Sequence, residues 1–260
     1  LITLIPKMLS SVSPNDFRPI SLSNTCLKFL TKLLANHLPS VILKCIHKNQ
    51  YGFLKSRYIQ ECLAWTFEYI PQCKQSKRPI VILKLDFAKA FDTIEHEVIL
   101  QMLRFKGFND RWISWINEIL SSGRSSVLLN GVPGKQFKCK CGVRQGDPLS
   151  PLLFVFAVDL LQSVVNDMLA RGVITLPIPS NDPDFPIIQY ADDTIVILPS
   201  IEEQLVAMKN MLLTFQESTG LKVNFRKSSL TLNMDNELAT RLVVVLGCKM
   251  GNTPFTYLGL

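Results

Sequence analysis

The chain contains only three histidines, His37, His47 and His96, and no two of them stand one helical turn apart. That removes the paired-imidazole route to a helical zinc site. Its seven cysteines are irregularly spaced. Cys139 and Cys141 share a face of an expected strand, but no second Cys or His pair completes a zinc set. No secretory pattern opens the chain, so the cysteines are expected as reduced thiols in an intracellular protein. No apolar run reads as membrane-spanning, because the longest, Leu152 to Val158, soon meets Asp159. Internal repeats and low-complexity tracts are also missing. What is present is 260 residues, 47% of them hydrophobic, enough for a substantial core in one large or two small domains. A net charge of +7 and a pI near 9.0 favour a polyanionic partner. The basic residues gather at Lys74, Lys77 and Arg78, at Lys135, Lys138, Lys140 and Arg144, and at Lys222, Arg226 and Lys227. Solvated surface lysines would give the same composition.

Two carboxylates lie side by side in Tyr190-Ala191-Asp192-Asp193, between Phe185-Pro186-Ile187-Ile188-Gln189 and Thr194-Ile195-Val196-Ile197-Leu198. Apolar β-branched runs around a short polar pair predict a hairpin with its acids at the tip. Asp suits turns, so an ordinary Asp-rich turn is one reading. A divalent-cation site is the other, since hard cations take carboxylate oxygens. Asp86 weighs for the second reading. It ends the β-branched run Pro79 to Leu85, where no turn or cap calls for an acid. Asp92, with Glu95 three residues on, instead reads as a helix capping box. Acids from two strand ends could hold two metal ions around a phosphoryl transfer, which suits nucleotide polymerisation.

These blocks stand in an order that resembles the reverse transcriptase of LINE-type, non-LTR retrotransposons. Phe17-Arg18-Pro19-Ile20-Ser21-Leu22 is similar to the first fingers block, and Gln50-Tyr51-Gly52-Phe53 opens the second. Leu85 to Asp92 resembles the first palm block, Gly142 to Pro151 the second, Tyr190 to Asp193 the third and Gly220 to Ser228 the fourth. Tyr257-Leu258-Gly259-Leu260 looks like the start of the block leading to the primer grip. Six or seven blocks in order are specific. The fingers depart from the pattern: Lys55-Ser56-Arg57 replaces Pro-Gly-Arg, and Gln60-Glu61 replaces an Asp-Asn pair.

The resemblance implies an α+β fold with right-hand polymerase fingers (1–78) and palm (79–260), an antiparallel palm sheet packed on helices, and no thumb. It implies an RNA-directed DNA polymerase that adds dNTPs to a primer 3′-hydroxyl. Asp86, Asp192 and Asp193 stand at its metal-ligand positions, for two Mg²⁺ ions with Mn²⁺ as a substitute. Phe91, five residues beyond Asp86, falls where the family places a ring that excludes a 2′-hydroxyl; a packing role is the alternative. Gln145 and Gly146 match residues that meet the incoming nucleotide and template, and Phe87, next to Asp86 in the first palm block, is also expected to bind the nucleotide. Arg57 is the candidate for the triphosphate, with Lys55 behind it. Lys227 matches a residue thought to protonate pyrophosphate, or is an exposed lysine. Arg18, Arg144 and Tyr190 are expected to contact nucleic acid. The implied partners are an RNA template, a DNA primer and dNTPs, without a membrane, within a longer polyprotein that carries an endonuclease domain. The nucleus and cytoplasm are the expected compartments.

Both chain ends read as cuts, so a fragment that polymerises weakly or not at all by itself is expected. A decayed remnant that only folds or binds nucleic acid is one alternative, and a group II intron maturase-like enzyme is another. Local punctuation predicts helices from Asn24 or Thr25 to Leu38, Glu61 to Cys73, Thr93 to Lys106, Asp110 to Leu120, Ser150 to near Gly172, and Met208 to Thr219. Leu27, Leu30, Leu34 and Leu38 share one helical face, and Trp112 and Trp115 are expected in the core. Asn130-Gly131 predicts a type I′ hairpin joining Ser126–Leu129 to Gln136–Cys139.

Overall fold

The computed structural model describes residues 1–182, 184–232, 236–251 and 257–258. Along the chain run β1 (Ile2–Pro6), β2 (Phe17–Ser21), α1 (Thr25–His37), α2 (Pro39–Cys45), α3 (Ile59–Gln75), β3 (Ile80–Leu85), α4 (Ala90–Thr93), α5 (His96–Phe105) and α6 (Asp110–Ser121). They are followed by β4 (Arg124–Ser125), β5 (Val127–Leu129), β6 (Val132–Pro133), β7 (Phe137–Lys138), α7 (Ser150–Ala170), β8 (Ile187–Tyr190), β9 (Asp193–Pro199), α8 (Glu202–Thr219), β10 (Ser229–Leu232), α9 (Asn236–Leu246) and β11 (Lys249–Met250). The chain divides into two compact units, one of Leu1–Cys45 with Phe91–Ala157 and one of Ile46–Ala90 with Val158–Leu260.

In the first unit a four-stranded sheet has the order β2-β1-β5-β6, with β1 antiparallel to β2 and parallel to β5. Asn24 caps α1, its Oδ1 accepting from the Leu27 N–H at 2.7 Å. Asn109 caps α6 in the same way, from the Trp112 N–H at 2.8 Å. Such caps satisfy a donor that the helix cannot, which is why both starts agree with the sequence. Of the leucines expected on one face of α1, Leu27 and Leu34 are half-buried and only Leu30 turns outward. Thr31, Ala35 and Leu38 are buried, while Leu30 is 53% exposed. On α6 the core falls to Ile113, Ile116 and Leu120. Trp115 is 44% exposed beneath the Arg111 guanidinium, so the core expected of it is corrected to surface.

Two further expectations change here. Asn130 and Gly131 form the hairpin turn, with φ of 49° and 82°, but it joins β5 to β6. A two-residue turn pairs the residues just beyond it, and Pro133, lacking an N–H, limits that ladder. The expected partner supplies β7 instead, which pairs with β4. The helix expected from Thr93 starts only at His96, as α5, behind the separate short helix α4 that ends at Thr93. The Gly142 N–H donates to the Ile94 carbonyl at 2.7 Å, and Glu95 bridges to Cys141. This pairing pulls residues 94–95 out of helical geometry, and Glu95 becomes the α5 N-cap without a side-chain bond. The Asp92 capping box therefore does not form. Asp92 lies in α4, and its Oδ1 accepts from Gln145 Nε2 at 2.9 Å.

The second unit is built on a five-stranded sheet in the order β11-β10-β3-β9-β8. All its pairings are antiparallel except β10 with β11. β3 lies at the centre with Ile80, Val81, Leu83 and Leu85 fully buried, as a strand covered on both faces requires. Cys62, Leu63 and Cys73 of α3 pack with Ile80, Ile82, Ile188, Ile195 and Ile197. Glu61, where the resembled family has an amide, accepts from the Tyr58 N–H at 3.0 Å and so helps start α3. α8 begins six residues before the expected Met208 and closes at Gly220. The division between units falls within α7. That helix is long and apolar enough to cross a membrane by length and composition, contrary to the sequence reading, yet 61% of its apolar window is buried. Fully buried Asp159 marks it as a core helix, since the carboxylate accepts from the His47 N–H at 2.9 Å and pairs with His47 Nδ1 at 2.9 Å.

Candidate active site

β8 and β9 are joined at Tyr190↔Asp193, which leaves Ala191 and Asp192 as the turn. The acids sit at the hairpin tip, as the sequence predicted. Ala191 carries φ of 57°, a left-handed conformation disfavoured for a residue with a Cβ. β3 pairs with β9 up to Leu85↔Thr194, so one further step of antiparallel register sets Asp86 across from Asp193. The Asp86 backbone is pinned from the segment before β10. Its N–H donates to Ser228 Oγ at 3.0 Å, and its carbonyl accepts from the Asn224 N–H at 2.7 Å. The Ser228 hydroxyl in turn donates to the Asn224 carbonyl at 3.0 Å. Thr194 Oγ1 donates to the Asp192 carbonyl at 3.3 Å.

The electrostatics are those of crowded acids. Burial raises the Asp192 carboxyl above its ordinary value; a bond from its own backbone N–H offsets part of this, and the charges of Asp193 and Asp86 add to the rise. Asp193 is raised by burial and by Asp86, while Lys84 lowers it. Among the described residues no three carboxylate, imidazole or thiolate groups are drawn together closely enough to hold a metal ion. The donor chemistry nonetheless fits a hard divalent cation: three neighbouring carboxylates, of which burial and the charge of Asp86 make the anionic forms of Asp192 and Asp193 costly.

The other predicted residues of this unit fall as follows. Lys227 is exposed, its N–H on the Asn224 carbonyl at 2.9 Å. Tyr190 is half-buried against the α3–sheet core. Phe87 is only 7% exposed and bridged to Val223, so its ring belongs to the core and only its backbone could meet a nucleotide. Arg57 is half-buried, with Nη1 donating to the carbonyls of His47 and, at 2.6 Å, Gln50, and Nη2 to Ile46 at 3.1 Å. Lys55 is exposed.

In the first unit, Phe91 is half-buried and stacked on Phe154, ring centroids 4.3 Å apart. Gln145 bonds Asp92 through its side chain and accepts from the Ser21 N–H at 2.9 Å through its carbonyl. Gly146 is exposed with φ of 95°. The Arg144 guanidinium donates to the Ile119 carbonyl at 2.9 Å, while Arg18 is exposed on β2. Sequence reasoning missed Gln50 as a site residue. It is fully buried, and its amide grips Ala191 (N–H to Oε1, 2.9 Å; Nε2 to carbonyl, 3.3 Å). The only signal was its place in Gln50-Tyr51-Gly52-Phe53.

A hairpin with acids at its tip, beside a strand ending in a third acid, in an antiparallel sheet packed on helices, has the layout of a polymerase palm. The chain belongs to the reverse transcriptase (RNA-dependent DNA polymerase) family, whose model matches residues 5–260. It is 29% identical over 235 residues to a retrovirus-related Pol polyprotein from the type-1 retrotransposable element R2 of Popillia japonica, covering 87% of this chain and 31% of that one. The type-2 element R2DM Pol polyprotein of Drosophila melanogaster is 29% identical over 226 residues, 86% of this chain and 20% of that one. The RNA-directed DNA polymerase from mobile element jockey, also of Drosophila melanogaster, is 27% identical over 189 residues, 72% of this chain and 19% of that one. The chain thus spans less than a third of these relatives' length. Apo telomerase from Candida tropicalis, truncated from its C-terminal domain, shares the right-hand polymerase fold at a TM-score of 0.63 and 16% identity, covering 90% of this chain and 50% of that one. This is a reverse transcriptase domain of the kind found in non-LTR retrotransposons.

Proposed function

We propose that the chain is the polymerising part of a non-LTR retrotransposon protein, copying an RNA template into DNA by adding dNTPs to a primer 3′-hydroxyl. The observation that carries this reading is the set of three carboxylates, Asp86, Asp192 and Asp193, with overlapping fields at the end of β3 and the β8–β9 turn. Asp86 and Asp192 would hold the ions, with Asp193 supporting or sharing one. Two Mg²⁺ ions, or Mn²⁺ in their place, would supply activation of the 3′-hydroxyl and neutralisation of the leaving pyrophosphate. The chain's own residues do the rest by position and charge. Phe91 excludes a 2′-hydroxyl, steadied by Phe154. Gln145, held by Asp92, and the open backbone at Gly146 meet the nucleotide and template. Lys55 reaches the triphosphate, and Arg57 holds the loop through its carbonyls or joins that grip. Lys227 gives a proton to pyrophosphate. Arg18, Arg144 and Tyr190 contact nucleic acid, within fingers (1–78) and palm (79–260). We also propose that it works within a longer polypeptide bearing an endonuclease domain, in the nucleus and cytoplasm.

The test is synthesis on a primed RNA with Mg²⁺ and the four dNTPs. Templated DNA product that disappears with EDTA is expected, weak from the chain by itself and stronger within the longer polypeptide. Product made only from rNTPs, or only on a DNA template, would contradict the reading.

A further inference from the structure

We propose that Gln50 is a positioning residue for the catalytic turn, holding Ala191 in its left-handed conformation so that Asp192 and Asp193 keep their aim; this rests on the polymerase reading above. Ala191 carries a Cβ, has φ of 57°, and lies between the hairpin strands. Nothing in its own sequence makes that conformation cheap, so a partner must favour it. The partner is one side chain. Gln50 Oε1 accepts from the Ala191 N–H at 2.9 Å and from the Gly52 N–H at 2.8 Å, which uses both acceptor positions of the amide oxygen. Gln50 Nε2 donates to the Ala191 carbonyl at 3.3 Å. Both backbone polar groups of the strained residue are thus satisfied by a residue with no solvent exposure.

The surrounding backbone closes the same grip. The Gln189 N–H donates to the Asn49 carbonyl at 2.9 Å, and the Tyr51 N–H donates to the Gln189 carbonyl at 2.8 Å. Gln50 and Gln189 are therefore bridged in parallel, and residues 49–51 lie along the free edge of β8. Gly52 passes so close that an added Cβ would stand 2.2 Å from the Ala191 nitrogen. The gripping segment is itself held from behind. Arg57 Nη1 binds the Gln50 carbonyl at 2.6 Å, and His47 is fixed on buried Asp159. On the other side of the turn, the Tyr257 hydroxyl donates to the Asp193 carbonyl at 3.4 Å. A flexible turn would let Asp192 and Asp193 relax apart under their mutual repulsion; a turn fixed at Ala191 keeps them ready for a cation.

Gln50→Met keeps the volume and removes all three side-chain bonds, and Gln50→Glu keeps both acceptor bonds to the Ala191 and Gly52 amides. The chain and both variants would be compared by hydrogen exchange at the Ala191 amide, by Mn²⁺ titration followed by electron paramagnetic resonance, and by primer extension against Mg²⁺ concentration. The expected result is fast Ala191 exchange and Mn²⁺ affinity weakened about tenfold in Gln50→Met. Its kcat falls more than its dNTP KM rises, and Gln50→Glu recovers the Ala191 protection. Unchanged Mn²⁺ affinity in a folded Gln50→Met chain would overturn the proposal, whether or not Ala191 is loosened. If Gln50→Met does not fold, Gln50→Glu decides: unchanged Mn²⁺ affinity with a protected Ala191 supports the clamp, and lost affinity with a protected Ala191 overturns it. Mn²⁺ binding that depends on Gln50 in a chain that extends no primer would leave the clamp standing and remove the polymerase reading.

Discussion

Phe91 lies nearly flat on Phe154, with ring centroids 4.3 Å apart and planes inclined by 18°. Phe154 has no exposed surface, whereas Phe91 is half-buried, so a fixed ring underlies a partly accessible one. A steric filter works only if it cannot yield, and stacking on the core supplies that stiffness.

Phe91→Ala is therefore expected to lower the preference for dNTP over rNTP by about tenfold or more, expressed as the ratio of kcat/KM values. Phe154→Leu, which leaves Phe91 in place but removes its support, is expected to give an intermediate fall. Matched single-nucleotide incorporation measures both. An unchanged ratio in a folded Phe91→Ala chain would leave Phe91 as a packing residue.

Asp192 trades stability for function. Its carboxyl is raised by burial and by the charges of Asp193 and Asp86. A raised carboxyl means that the folded chain holds its proton more tightly than the unfolded chain does. Stability is then lost as the pH climbs from the unfolded value through the folded one, and the loss persists above it. In EDTA at neutral pH, Asp192→Asn is expected to raise the Tm, by about 2–4 °C for each 1 kcal/mol recovered. At a pH below the unfolded carboxyl value the gain should vanish. Mg²⁺ should stabilise the native chain more than the variant. A lower Tm for the variant in EDTA would show that the carboxylate is not strained.

Arg57 and Lys55 separate structure from phosphate binding. Arg57 spans three carbonyls with a planar fork that a lysine cannot copy. Arg57→Lys is expected to cost about 1–3 kcal/mol in urea unfolding. Lys55→Ala, at an exposed position, should stay within about 0.5 kcal/mol of the native chain while raising the KM for dNTP. Equal stability of Arg57→Lys and the native chain would return Arg57 to a purely phosphate-binding role.

Much of this was legible in the sequence where the signal is local. Asn24 and Asn109 cap helices within three residues of their partners, and the acids of the β8–β9 turn are flanked by their own strands. Asp92 misled because its capping box is a local signal overruled from a distance: residues 141–142 pair with residues 94–95 and break the helix. Gln50 was invisible as a site residue because its partner, Ala191, is 141 positions away. Trp115 lies at helical spacing with core residues, yet the burial of Ile113, Ile116 and Leu120 turns it outward. The role of a buried polar residue is set by its partner, which periodicity does not reveal.

The most direct test of polymerisation at the three carboxylates is single-nucleotide extension of a DNA primer on an RNA template in Mg²⁺, comparing the native chain with Asp86→Asn and Asp192→Asn. Each variant keeps its volume and loses one anionic oxygen ligand. Each is expected to lower the rate at least about a hundredfold, of the order of removing a principal electrostatic stabiliser. Extension by either folded variant at near the native rate would contradict the assignment of Asp86, Asp192 and Asp193 as the catalytic centre.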